Sequence, residues 1–163
     1  MQNTFSHSNI LQIFPKIKVR SLISWSERKL IIPIQDAAGR GSSRIYSYSN
    51  LIEIGIISEL FRYSLSFFHI SSVMRDDAMQ SLLKNESWDT IFWFAHGTPS
   101  GVPNIYKEFS CGSAPITEFK KRGGEILVGP IRISNDPFEF ASSAIIVNVG
   151  RIKDYVDHMI TKL

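Results

Sequence analysis

One cysteine, Cys111, stands in 163 residues. A single thiol excludes an intrachain disulfide and any multi-thiolate metal site within one chain, and fits a reducing compartment. No apolar run approaches the roughly 20 residues a bilayer-spanning helix needs. The first fifteen residues carry neither Lys nor Arg, so they do not read as a secretory signal. A cytoplasmic location is therefore expected. His7, His69, His96 and His158 lie far apart, in no ligand spacing. His-Glu-x-x-His, Cys-x-x-Cys and Gly-x-Ser-x-Gly runs are all missing. Gly97 to Gly101 lacks the Lys-Ser/Thr that completes a phosphate loop. The expectation is no enzyme, no metal and no cofactor. Cys111 stays open as a redox or metal contact. No internal repeat or low-complexity tract stands out.

What is present is an uneven charge distribution. Residues 1–75 hold nine Lys/Arg and four acids, and residues 76–163 hold nine and eleven, so the net +3 of the whole hides a +5 and a −2. Most of the excess lies between Lys16 and Arg44, the footprint expected of a nucleic-acid face. The same stretch predicts two short helices. Thr4 or Ser6 can cap a first helix to about Ile13, and Pro15 breaks the ladder at the following turn. A second helix runs from about Ile17 to Arg28. Val19, Leu22, Ile23 and Ser26 would face inward, with Trp25 at the edge; Arg20, Ser24 and Arg28 would line an outer face. This is either an ordinary amphipathic hairpin or a helix-turn-helix reader.

Leu30 to Pro33 reads as a strand, and Ile45 to Tyr48 as its return. Between them Gly39, Arg40, Gly41, Ser42 and Ser43 form a small-residue turn carrying a cation suited to a phosphate or a narrow minor groove. Helix, turn, helix, strand, loop, strand is the order of a winged helix-turn-helix. A third helix is expected from Asn50 to about Tyr63, with Leu51, Ile54, Ile57 and Leu60 on its buried face and Glu53 and Glu59 off it. A fourth is expected over Phe67 to Met74, and a linking segment from Asp76 to about Lys84. Beyond it, Thr90–Phe94, Ile105–Phe109, Glu125–Val128, Ile131–Ile133 and Ala144–Val149 are strand-like, with a short helix over Pro115–Arg122 ended by Gly123 and Gly124. The aromatics of this half are core residues or the lining of an apolar effector pocket. Ile152, Tyr155, Val156, Met159, Ile160 and Leu163 give a closing amphipathic helix. The expected fold is α+β: a helical domain over 1–76, a linker helix over 77–87, and a small β-rich domain over 88–163 that serves sensing or oligomerisation.

Leu22, Trp25, Leu30, Ile31 and Pro33, then Ala38 to Leu51 with its Arg-x-Tyr-Ser run, then Ser64, Leu65, Ser66 and Ile70, resemble at matching spacing the DNA-binding domain of the MerR family of bacterial transcription regulators. The likeness covers about 70 residues. Departures occur at Ile23, where the family commonly has Arg, at Ser24 in place of an aromatic, and at Lys18 in place of a capping Ser. Lys29 stands where the family carries glycine before the wing strand. The resemblance implies a homodimer on an inverted-repeat operator in double-stranded DNA. Arg20, Ser21 and Ser24 would sit at the bases, Lys18 near the start of the recognition helix, and Arg40, Gly41, Ser43, Arg44 and Tyr46 on the wing, with Arg44 and Tyr46 the phosphate-contacting pair. It also implies RNA polymerase as a further partner at the promoter and an effector whose chemistry the residues do not name. An architectural or recombination accessory protein with the same reader and no small-molecule effector is the other reading.

Overall fold

The computed structural model describes residues 4–37, 39, 43–86, 88–96, 109–115, 127–128, 131–132 and 143–163. The expected helix beyond Pro115, the strand residues 105–108, 125–126 and 133, and loop residues Arg40 and Gly41 fall outside them. The fold mixes helix and sheet. The chain divides into two compact units, residues 1–66 with 151–163 and residues 67–150. The expected domain limits at 76 and 87 do not coincide with these units.

In the first unit a three-residue strand, β1 (Thr4–Ser6), precedes α1 (His7–Ile13), α2 (Val19–Glu27), β2 (Ile45–Ser47) and α3 (Tyr48–Arg62). β1 pairs antiparallel with β2, placing Phe5 opposite Tyr46. Both strands run straight into helices through the same local device. Ser6 accepts from the Asn9 N–H while Asn9 Oδ1 accepts from the Ser6 N–H at 2.9 Å; Ser47 and Asn50 do the same, the latter at 3.0 Å. These are reciprocal capping boxes with Asn in place of the usual Glu. The sequences at the two junctions, Phe5-Ser6-His7-Ser8-Asn9 and Tyr46-Ser47-Tyr48-Ser49-Asn50, share an aromatic-Ser-x-Ser-Asn pattern.

α3 is the central helix of this unit, with Leu51, Ile52, Ile54, Ile56, Ile57 and Leu60 all fully buried. Trp25 of α2 stacks on Phe61 at 5.4 Å between ring centres. The final helix, α6 (Val149–Ile160), directly follows the strand Ser143–Asn148, and from Arg151 onward it belongs to this unit. Tyr155 Oη donates to the Ile13 carbonyl at 2.6 Å, and Tyr48 Oη donates to Asp157 Oδ1 at 2.7 Å. A Cβ on Gly55 would collide with the Ile152 side chain, so the missing side chain is what lets α3 and α6 approach.

α2 and α3 end alike. The N–H groups of Lys29 and Leu30 bond to the carbonyls of Ser26 and Trp25, and those of Ser64 and Leu65 to Phe61 and Leu60. Each set is a Schellman motif, which requires a left-handed residue just past the helix. Lys29 (φ 55°) and Ser64 (φ 61°) take that conformation. This corrects the expected strand at Leu30–Pro33. The N–H groups of Leu30 and Ile31 are both spent on the Trp25 carbonyl, and the two side chains are buried. A strand ladder therefore cannot start there. Pairing begins only at an isolated bridge between Gln35 and Ile45.

The second unit contains α4 (Phe67–Met74), α5 (Asp77–Lys84) and an antiparallel three-stranded sheet in the order β4 (Phe109–Pro115), β3 (Thr90–His96), β7 (Ser143–Asn148). Cys111 lies in β4 opposite Phe94. A separate hairpin pairs β5 (Leu127–Val128) with β6 (Ile131–Arg132). Among the described residues, no helix is long and apolar enough to cross a membrane.

Candidate nucleic-acid interface

α2 begins differently from α1 and α3. Its N-cap residue, Lys18, has extended backbone but makes no side-chain cap bond, and no acid occupies the first turn. The positive end of the helix is thus uncompensated by its own sequence, a favourable setting for an external anion. Lys18, Val19 and Arg20 are exposed there, and Ser21 and Ser24 are partly so. Val19 was expected inside; it is 49% exposed. Leu22, Trp25 and Ser26 form the buried stripe, so Trp25 is core rather than edge. The physical reason is register. Those three positions fall at i, i+3 and i+4; Trp25 stacks on Phe61 of α3 and Ser26 bonds to Tyr46 of β2, and Val19 lies off that face.

The loop from Pro33 to Arg44 is anchored at both ends. Gln35 and Ile45 exchange N–H to carbonyl bonds of 2.9 and 3.2 Å. Nearer its tip, Arg44 Nε donates to Asp36 Oδ1 at 2.7 Å. The same oxygen accepts the Ala37 N–H at 2.8 Å. The bond from Arg44 holds the Asp36 carboxyl below its usual pKa range. The Arg44 side chain is 15% exposed and that of Asp36 72% exposed. Ser43 is exposed, and Gly39 adopts φ 141°, a conformation only glycine takes readily.

Tyr46 differs from the expected role of a phosphate contact. It is fully buried. Its hydroxyl lies 3.2 Å from Ser26 Oγ, and Ser26 Oγ lies at the same distance from the Leu22 carbonyl. Since Ser26 has one hydroxyl proton and the carbonyl can only accept, Tyr46 is the donor to Ser26. Burial pushes the Tyr46 phenol pKa up. Tyr46 therefore fastens β2 to α2, and its contribution to any surface is to hold Arg44, two residues earlier, in place.

Asn50, also buried, joins the loop to α3. Beyond its capping role, Nδ2 donates to the Ile32 carbonyl at 3.1 Å and to Glu53 Oε2 at 2.9 Å. Glu53, expected off the buried face, is largely enclosed, and desolvation lifts its pKa to about 7. His7, at the start of α1, meets the Tyr46 ring edge-on with centres 6.4 Å apart. Its Nε2 is buried with no hydrogen-bond partner among the described residues, and burial, with the nearby Arg44 charge, lowers its pKa and favours the neutral imidazole.

Of the sequence-predicted site residues, Lys18, Arg20, Ser21 and Ser24 share α2, Arg44 and Ser43 share the loop's return arm, and Tyr46 is internal. Arg40 and Gly41 lie outside the described residues. Asp36 and Val19 were missed as candidates. An acid eight residues before Arg44 across a turn was the available signal for the first. Among the described residues, no cluster of His, Cys, Asp and Glu could hold a metal ion. No protein-family model matches the chain, and comparison with curated proteins gives no match.

Proposed function

We propose that this chain is a sequence-specific reader of double-stranded DNA, a transcriptional regulator of the MerR type that binds an inverted repeat as a homodimer in the cytoplasm. The observation that carries the reading is the start of α2: an uncapped helix end, free of first-turn acids, with Lys18, Val19 and Arg20 exposed on it. A helix with those properties suits the major groove, where its first residues meet base edges and its end meets phosphate. The winged helix-turn-helix reading draws further support from Lys29. It occupies a family glycine position and has positive φ, the backbone that makes glycine the natural residue there.

In this reading α2 is the recognition helix, with Arg20, Ser21 and Ser24 toward the bases. The loop from Pro33 to Arg44 is the wing, and Lys18 and Arg44 set register through the DNA backbone. The β-rich unit senses an effector or joins subunits, and RNA polymerase is the partner at the promoter. The test is selection of bound sequences from randomised duplex DNA by the purified protein, followed by sedimentation of the winning complex. A palindromic winner bound by two chains is expected. Uniform coating of every duplex would replace regulation with an architectural role, and absence of binding would leave a fold without its presumed function.

A further inference from the structure

We infer that Asp36 is a positioning residue for DNA binding: it holds Arg44 by its Nε so that the outer edge of the guanidinium is presented to one backbone phosphate. The inference rests on the DNA-binding reading above and goes beyond it, since neither the basic cluster nor the family likeness assigns an acid to the interface.

The geometry distinguishes holding from masking. A carboxylate that occupies an arginine fully does so with two parallel bonds from two nitrogens. Here a single oxygen, Asp36 Oδ1, takes only the Nε proton, at 2.7 Å. That oxygen is fixed in turn by the Ala37 N–H at 2.8 Å. The bond engages Nε alone, and the four Nη protons are the donors that an end-on, two-pronged contact with a phosphate would use. The side chain behind them is confined: Arg44 is 15% exposed, and Tyr46, two residues on, is fixed to Ser26. An arginine restrained this way has lost most of its rotamer freedom before DNA arrives, which is the saving that preorganisation brings to binding. Asp36 itself is 72% exposed, so it has no core role to explain its place.

An exposed anion on a DNA-facing loop should by simple repulsion weaken binding, and its removal should tighten it. Positioning predicts the opposite. On the duplex recovered by selection, Asp36→Ala is expected to weaken affinity about tenfold, the scale of one charge-assisted contact. Asp36→Asn keeps an acceptor for Nε and should recover most of the loss. In an Arg44→Ala background the Asp36→Ala change should do nothing further. Replacing single phosphates by neutral methylphosphonates should reveal one position that costs the wild-type protein affinity and costs Asp36→Ala none. A readout without DNA accompanies these: the Arg44 Nε–H signal should exchange slowly in the wild type and rapidly in Asp36→Ala, with unchanged thermal unfolding. Equal or tighter binding by Asp36→Ala, with wild-type binding intact, overturns the inference and leaves the DNA-binding reading standing. Failure of the wild-type protein to select any duplex removes both.

Discussion

α1 and α3 begin one way and α2 another. The first two follow paired strands, carry aromatic-Ser-x-Ser-Asn at the junction, and satisfy their own first N–H groups through Ser6 with Asn9 and Ser47 with Asn50. α2 follows a turn, starts with Lys18, and leaves its first turn uncapped. Closed ends stabilise the fold; an open end with cations around it stabilises nothing internally and is available to an anion. The contrast separates residues that hold this unit together from residues that face outward.

The closed side should be the most sensitive to change. Asn50→Ala removes a capping partner and the Nδ2 donor to the Ile32 carbonyl and Glu53, and should lower unfolding free energy by about 3 kcal/mol, measured by urea denaturation. The matching Asn9→Ala change at α1 touches only its cap and should cost about 1 kcal/mol. Equal effects would break the claim that α3's junction is the hub.

Glu53 sets a pH dependence on the same side. Its folded pKa of about 7 lies above the ordinary 4.5, so the native state binds more protons than the unfolded state between those values. Stability contributed by this group is present below about pH 4.5 and is lost as pH rises through 7. Glu53→Gln should therefore be up to about 2–3 kcal/mol more stable than wild type above pH 8 and nearly equal to it at pH 4. A constant difference across that range would contradict the enclosed carboxylate.

The open side should respond in the opposite sense. Lys18→Ser supplies the missing cap and should raise stability by about 1 kcal/mol. It should also weaken binding to the selected duplex about tenfold and reduce the slope of log affinity against log salt by about two, one for each copy of Lys18 in the dimer. Gained stability with unchanged binding would place the interface elsewhere. The smallest effect concerns the helix ends. Lys29→Gly and Ser64→Gly each relieve a left-handed side chain and should add up to about 1 kcal/mol, seen as a higher midpoint of thermal unfolding.

Much of the helical framework could be read from the chain. Ser6 as a cap, the α4 limits at Phe67 and Met74, and a linking segment from Asp76 to about Lys84, where α5 forms, follow from polar caps and apolar spacing that act locally. β1 could not be read, because three residues carry no alternation and their partner lies some forty residues away. β4, with Ser, Cys, Gly, Ser and Ala in succession, has little intrinsic strand preference, and its place in the sheet comes from pairing with β3. The apolar run Leu30–Ile32 imitates a strand, but its N–H groups are drawn back to Trp25 by the helix cap. At the candidate site the cations were legible by charge. The burial of Tyr46, the enclosure of Glu53 and the Asp36 bond to Arg44 were not, since each depends on what the folded chain brings alongside.

The most direct test is a salt titration of the purified protein on its selected duplex. A phosphate-anchored dimer built on two copies of Lys18 and Arg44 predicts log affinity falling linearly with log salt at a slope of about −3.6, steep enough to lose over a hundredfold between 50 and 200 mM. A slope near zero, or affinity indifferent to sequence at every salt concentration, would contradict the account.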